Sequence, residues 1–362
     1  MTGNSNDIAI SALGVHSSLG GSLDAAAAFR CGLSRGRELP DWPYFDEETL
    51  HEQLLIGHPA AGLSDGFQGL GRFIKMGAYA LEDMRQHLNS MNINPAKLGI
   101  FFVFPITDVN HTISADLKNE FGIFLTRLQE LSWIKVEEKN IRAYFEGRLG
   151  VISAIQDAQE LLKDGNIDYC LIGAIDTLLD SLRLSDLVIA NKVKTMDNPT
   201  GLVPGEAACF ILLERLNSTK HRENIPEVVL QQPSLIIAPD KDDDSEQIPT
   251  GCVLCEAMVQ ALDNAQATAT DRGTIYCDLN GENFKAADFS SALVRASSHY
   301  LLSDWKVEIP ALSFGETGAA SGMLAICLAF QSFCRGYLFG DKALVVLSSE
   351  QGDSGAIVLR KV

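Results

Sequence analysis

Basic residues are scarce in this chain: 29 Lys and Arg stand against 47 Asp and Glu, for a formal net charge of −18. A deficit of that size excludes a nucleic-acid ligand, because phosphate binding needs clustered cations, and it repels an acidic carrier protein unless a local basic patch receives it. Long apolar runs are also missing. The longest candidate, Ala319 to Phe330, is interrupted by Ser321 and Gly322 and falls short of the roughly 20 residues a membrane helix needs. The first residues, Met1 to Asp7, place no basic region before an apolar stretch, so no secretory signal and a cytoplasmic location are expected. The seven histidines form no i, i+4 metal-binding pair.

Cysteine is present, yet sparsely patterned. Cys252-Val-Leu-Cys255 has the spacing of a redox or zinc half-site, but no second such pair exists and a structural zinc needs about four ligands. Gly251 to Ala265 carries apolar residues at helical spacing, so core packing is the favoured reading of that pair. The eight cysteines, with Cys170, Cys209 and Cys327 inside apolar segments, are expected to be reduced core residues. Asp242 to Asp244 is most simply a solvated loop, and Gly69-Leu-Gly-Arg-Phe73 opens a helix rather than cradling a phosphate. Neither metal nor cofactor is expected.

What the chain does contain is an internal repeat. Ala154-Ile155 lies in an apolar helix that closes at Lys163-Asp-Gly165, and the strand-like Tyr169-Cys-Leu-Ile172 follows. Ala325-Ile326 lies in a second helix, closing at Cys334-Arg-Gly336, and Ala343-Leu-Val-Val-Leu347 follows. The interval from alanine to glycine is the same in both, as two buried helices with glycine C-terminal caps would require. Each unit then reaches a glycine, an acid and an apolar run, at Gly205-Glu206 and at Gly352-Asp353. A duplicated α/β architecture follows, with one half over 1–216, a linker over 217–248 and a second half over 249–362.

Ahead of the repeat, Ile8 to Val15 reads as a strand, Ser22 to Phe29 as an alanine-rich helix capped by Ser22, Phe73 to Leu88 as a helix and Leu98 to Phe104 as a buried strand. Arg37 to Phe67 lacks periodicity and is expected to be a surface excursion. Insertions are placed at about 37–70 and, with helical character, at 105–143.

Several segments resemble β-ketoacyl-acyl carrier protein synthases. They are Ile8 to Gly20 with Phe29-Arg-Cys-Gly-Leu-Ser34, Ile167 to Thr177, Thr195 to Ala207, Phe314-Gly-Glu-Thr-Gly-Ala-Ala-Ser-Gly322 and Ser348 to Gly355. The resemblance implies a thiolase-like fold, in which two duplicated halves form a five-layered α/β/α/β/α sandwich, and a homodimer. It also implies a cysteine nucleophile at a helix N-terminus, assisted by two histidines or a histidine and an asparagine. None of these transfers. Arg148 falls at the cysteine position and none of Tyr144 to Ser153 is a cysteine. Asn280 falls in the first histidine motif, Glu316 replaces the second histidine, and Ala311 stands where the family has a lysine. A carboxylate without an activated nucleophile does not make a condensing enzyme.

The chain therefore resembles a pseudoenzyme, and the leading expectation is a catalytically inactive scaffold or adaptor that binds a protein. The Asp278-Leu-Asn-Gly-Glu282 segment resembles a degenerate subgroup encoded near type VI secretion genes, which implies a role in effector loading. Two alternatives remain: an acyltransferase or chain-length partner working with an active synthase and an acyl carrier protein, and an acyl-chain or small-molecule binder. Arg148 and Glu316 are expected to pair across the former catalytic cavity.

Overall fold

The computed structural model describes residues 7–46, 50–60, 62, 64–88, 93–106, 117–135, 137–216, 227–239 and 248–362. The strands are β1 (Ile8–Ser17), β2 (Arg37–Asp46), β3 (His51–Gly57), β4 (Leu98–Val103), β5 (Ile141–Tyr144), β6 (Tyr169–Thr177), β7 (Glu206–Arg215), β8 (Val228–Leu230), β9 (Ser234–Ile236), β10 (Gly273–Cys277), β11 (Lys306–Glu308), β12 (Lys342–Ser348) and β13 (Ser354–Lys361). The helices are α1 (Ser22–Arg30), α2 (Gly69–Leu88), α3 (Phe121–Leu131), α4 (Gly150–Lys163), α5 (Ser181–Ile189), α6 (Cys252–Asn264), α7 (Asn283–Ala296), α8 (Ala311–Phe314) and α9 (Ser321–Cys334).

Apart from the β2–β3 hairpin and β9, which pairs with β13, the strands lie in the order β11-β10-β12-β13-β8-β1-β7-β6-β4-β5. Cut between β8 and β1, this path becomes two copies of one pattern. From β1, the pairings run antiparallel to β7, antiparallel to β6, parallel to β4 and parallel to β5. From β8, they run antiparallel to β13, antiparallel to β12, parallel to β10 and parallel to β11. The helix that precedes β6 is α4, and its counterpart before β12 is α9. Gly165 (φ +72) and Gly336 (φ +66) follow these helices in the left-handed conformation that ends them.

Three apolar clusters define the layers. Alternate residues of β7 separate cleanly: Cys209, Ile211 and Leu213 join a central cluster with α4 and α9, while Ala208, Phe210 and Leu212 join α2 and α3. In the second copy, Val345 and Leu359 face the central cluster, and Leu344 and Val358 face α6 and α7. Both faces of these strands are thus covered, which is why they read as continuous apolar runs. The result is helix, sheet, helix pair, sheet, helix: the five layers expected. Gly173 of β6 leaves room for the Phe210 ring, which an added Cβ would approach to 2.0 Å. Helix α9 is buried on every side from Gly322 to Phe333. Its apolar composition is that of a central-layer helix, and no helix among the described residues is long and apolar enough to cross a membrane.

Several local readings are corrected. Ser22 is the first residue of α1, not its cap. Its N–H donates to Asp83 Oδ2 at 2.9 Å, and its hydroxyl has no hydrogen-bond partner. The excursion at 37–67 holds the β2–β3 hairpin, whose Leu55 packs with Leu184 of α5 and Val193. A register shift between Glu38 and Pro43 accommodates Pro40 and Pro43 in β2. The stretch read as a linker, 217–248, contains β8 and β9, and β8 bonds to both β1 and β13. Asp242 to Asp244 lies outside the described residues. Cys252 is exposed and not core, whereas Cys255 is half-buried and packs against the cluster between α6 and α7.

The Gly205-Glu206 motif is structural. Glu206, fully buried at the start of β7, accepts two hydrogen bonds from Arg72 of α2, from Nε and Nη2, both at 2.7 Å. Thr177 Oγ1 and the Ala60 N–H add bonds at 2.7 and 2.8 Å. The fork-to-fork geometry and the added donors satisfy a carboxylate that burial would otherwise penalise. Glu206→Ala strands the Arg72 guanidinium and is expected to cost about 3–5 kcal/mol in urea unfolding. Replacement of both residues by apolar side chains of similar volume is expected to cost less.

Candidate functional site

Each central helix begins from a tight turn that opens on a left-handed glycine. Gly147–Leu149 precedes α4, with Gly147 at φ +61; Gly318–Ala320 precedes α9, with Gly318 at φ +55. A Cβ on Gly318 would come within 2.0 Å of the Asp176 carboxylate, which instead accepts the Ala319 N–H at 2.7 Å. The two turns meet at the boundary between the repeated halves, and Arg148 lies in the first.

An arginine there is electrostatically awkward. Unpaired N–H groups make a helix N-terminus favour anions, and the Arg148 side chain is only 11% exposed. Two carboxylates from the second half compensate. Arg148 Nη1 donates to Asp278 Oδ2 at 2.9 Å and to Glu316 Oε2 at 3.4 Å. Asp278, just past β10, also accepts Lys285 Nζ of α7 at 2.6 Å and the Ser348 N–H at the end of β12 at 3.1 Å. Glu316 follows α8 and Gly315; its Oε1 accepts the Gly318 N–H at 2.7 Å and its Oε2 accepts Asn280 Nδ2 at 2.9 Å. Asn280 Nδ2 also donates to Glu282 at 2.7 Å. Two cations and two anions thus close a neutral cluster with side-chain exposures of 11% or less.

Burial disfavours ionised Asp278, but the Lys285 ammonium and the Arg148 guanidinium outweigh it and hold the carboxyl below its usual range. Burial likewise opposes the Arg148 cation, and Glu316 and Asp278 overcome it, raising its pKa. Asp278 and Arg148 therefore both keep their charge at neutral pH.

The sequence-predicted residues converge here, with different partners from those expected. Arg148 and Glu316 lie within ion-pair distance, although one nitrogen makes the contact and the fork of the guanidinium does not. The closer partner is Asp278, which lies outside the expected pair. Glu316 divides its oxygens, one capping the turn before α9 and one facing Arg148. Ala311, at the start of α8, supplies only a methyl group, and the ammonium in the cluster comes from Lys285. A lysine in the first turn of a helix is ordinarily solvated, so nothing in the sequence set Lys285 apart. Beside the cluster, Cys277, Asp278, Ala311, Glu316 and Thr317 line a space of about 10 Å³, which is about the size needed for one water.

Cys277 is the cysteine on this lining. Burial, with the Asp278 charge adding to it, pushes its pKa up to about 12, and its S–H donates to the Glu308 carbonyl at 3.6 Å. It is a protonated thiol, and the thiolate is the nucleophilic form. Among the described residues no group of three His, Cys, Asp or Glu side chains is arranged to hold a metal ion.

Asp278→Ala leaves both Arg148 and Lys285 without their shared carboxylate and is expected to cost about 3–5 kcal/mol. Glu316→Ala leaves Arg148 its shorter bond and is expected to cost about 2 kcal/mol, from lost charge-assisted hydrogen bonds. The Asp278 contribution has a defined pH sign. With a folded pKa depressed below the unfolded value of about 4, it is complete above that value and lost as pH falls through the folded one. The gap between wild type and Asp278→Ala in urea midpoint is expected to be constant from pH 8 to 5 and to narrow below pH 4.

No known family model matches the sequence, and no curated protein matches it. Solved structures do. A chain from a complex of a type II polyketide synthase acyl carrier protein with its ketosynthase, bound to the hexaketide, superposes with TM-score 0.75 at 14% identity, over 99% of this chain and 100% of that one. The ishigamide ketosynthase/chain length factor gives 0.68 at 15%, over 98% and 99%. A β-ketoacyl synthase from Burkholderia phymatum gives 0.72 at 16%, again over 98% and 99%. Identities this low speak for architecture alone, and the architecture is that of the thiolase-like ketosynthases.

Proposed function

We propose that this chain is a non-catalytic ketosynthase-fold protein that acts as a scaffold or adaptor for another protein. The observation that carries this reading is the closed cluster of Arg148, Asp278, Lys285 and Glu316 at the start of α4, the position to which the resemblance assigns a cysteine nucleophile. A guanidinium cannot form a thioester, and its ion pairs occupy the volume an acyl thioester would need. The same cluster argues against acyl-chain binding at this place, since the space lined by Cys277, Asp278, Glu316 and Thr317 holds about 10 Å³.

The likeness of Asp278-Leu-Asn-Gly-Glu282 to a subgroup encoded near type VI secretion genes supports a more specific role, the loading of effectors onto the secretion spike. A second reading is favoured by one structural neighbour, the ishigamide ketosynthase/chain length factor: a non-condensing subunit paired with an active synthase.

Purified protein incubated with acyl-coenzyme A or an acylated carrier protein is expected to keep its unmodified mass. A stoichiometric acyl adduct on any of the eight cysteines would overturn the non-catalytic reading. Homodimerisation is part of the proposal, because β5, at the end of the strand order, pairs only with β4 among the described residues and a bare strand edge invites pairing. Sedimentation of the chain alone is expected to give twice the 39.3 kDa chain mass. A monomer that assembles only with an active ketosynthase subunit would favour the second reading.

A further inference from the structure

Away from the charged cluster, on the outer layer of the second half, the first turn of α6 presents Cys252 to solvent and Cys255 half-buried, both as free thiols. The other cysteines are placed differently. Cys170, Cys209, Cys277 and Cys327 are buried, Cys334 is half-buried, and Cys31 is exposed; neither Cys334 nor Cys31 has a second cysteine within three residues. Beside the pair opens a cavity of about 500 Å³, lined in part by Cys252, Cys255, Glu256, Gln260, Asp263 and Arg295.

We propose that Cys252 and Cys255 form a reversible dithiol–disulfide site that exchanges with a small peptide-like disulfide such as glutathione disulfide. Helix geometry puts the Cα atoms of residues i and i+3 about 5 Å apart, inside the roughly 4.4–6.8 Å range of disulfides, and closing the bond brings the two Cβ atoms together at the first turn of the helix. The turn that carries the thiols is already fixed in place. The Gly251 N–H donates to Asp288 Oδ1 at 2.7 Å, Arg295 Nε donates to the Thr250 carbonyl at 2.7 Å, and Ser291 Oγ donates to the Pro249 carbonyl at 3.4 Å. A Cβ on Gly251 would sit 2.2 Å from the Ala292 nitrogen, so α6 starts hard against α7.

Exposure assigns the roles. Cys252, the exposed thiol, loses its proton and attacks one sulfur of the disulfide, breaking that S–S bond and releasing one glutathione thiolate. Cys255 then loses its proton and attacks Cys252 Sγ, releasing the second glutathione. The small disulfide is reduced by two electrons, the protein dithiol is oxidised by two, and the two thiol protons end on the two glutathiones. Burial raises the Cys255 pKa, with Cys252 and Glu256 adding to it and Arg295 opposing it, which keeps this thiol protonated until the mixed disulfide forms beside it. Arg295 offers a counter-charge for a peptide carboxylate, and Glu256 and Asp263 offer two for its ammonium.

The test is mass spectrometry of the full chain after treatment with excess glutathione disulfide and trapping of free thiols by alkylation. The peptide carrying both cysteines is expected to lose two hydrogens and to escape alkylation, with dithiothreitol restoring it. Cys31, in the same sample, is expected to stop at the glutathione adduct. In Cys255→Ser, Cys252 is expected to retain a full glutathione adduct, and in Cys252→Ser no disulfide forms at this turn. Alkylation of both thiols in wild type while Cys31 is modified, or a glutathione adduct on Cys252 that persists with Cys255 present, would overturn the proposal.

Discussion

A cation sits at the start of α4, the end of a helix that favours anions, and carboxylates from the other half of the chain make that arrangement tolerable. Arg148 belongs to the first copy of the repeat; Asp278, Lys285 and Glu316 belong to the second. Removing Asp278 leaves Arg148 and Lys285 out of water without their shared counter-charge, and that penalty is larger than the net value of the pair. The cluster therefore acts as a constraint on how the two halves meet. It is reinforced nearby by the Asp176 carboxylate of the first half, which takes the Ala319 N–H of the second and pairs with Arg183.

Periodicity carried most of the architecture into the sequence. The helix closures at Gly165 and Gly336, and the runs that became β6, β7, β12 and β13, were visible because they are buried on both faces or end in a left-handed glycine. The β2–β3 hairpin was not visible, since proline-bearing, half-exposed strands have no clean alternation. Nor was β8: three residues in a charged stretch gain their meaning only from pairing with β1 and β13.

The site was legible in the same uneven way. Arg148 and Glu316 stood out as residues of the wrong chemistry at marked positions of a resemblance. Asp278 and Lys285 are ordinary acidic and basic residues whose role depends on a fold that brings 148, 278, 285 and 316 together. For Cys252 and Cys255 the error ran the other way. Apolar spacing along α6 suggested burial, but Leu254, Ala257 and Met258 are the ones that face the core, while Cys255 only borders it and Cys252 is exposed.

The layers and central helices of this fold thus accommodate a bound cation at the start of α4. A double-mutant cycle between Arg148 and Asp278, using apolar replacements of each and urea unfolding at neutral pH, tests this most directly. A coupling of about 2 kcal/mol or more is predicted, as for residues of one buried ionic network. Additive losses, with no coupling beyond about 0.5 kcal/mol, would contradict the account.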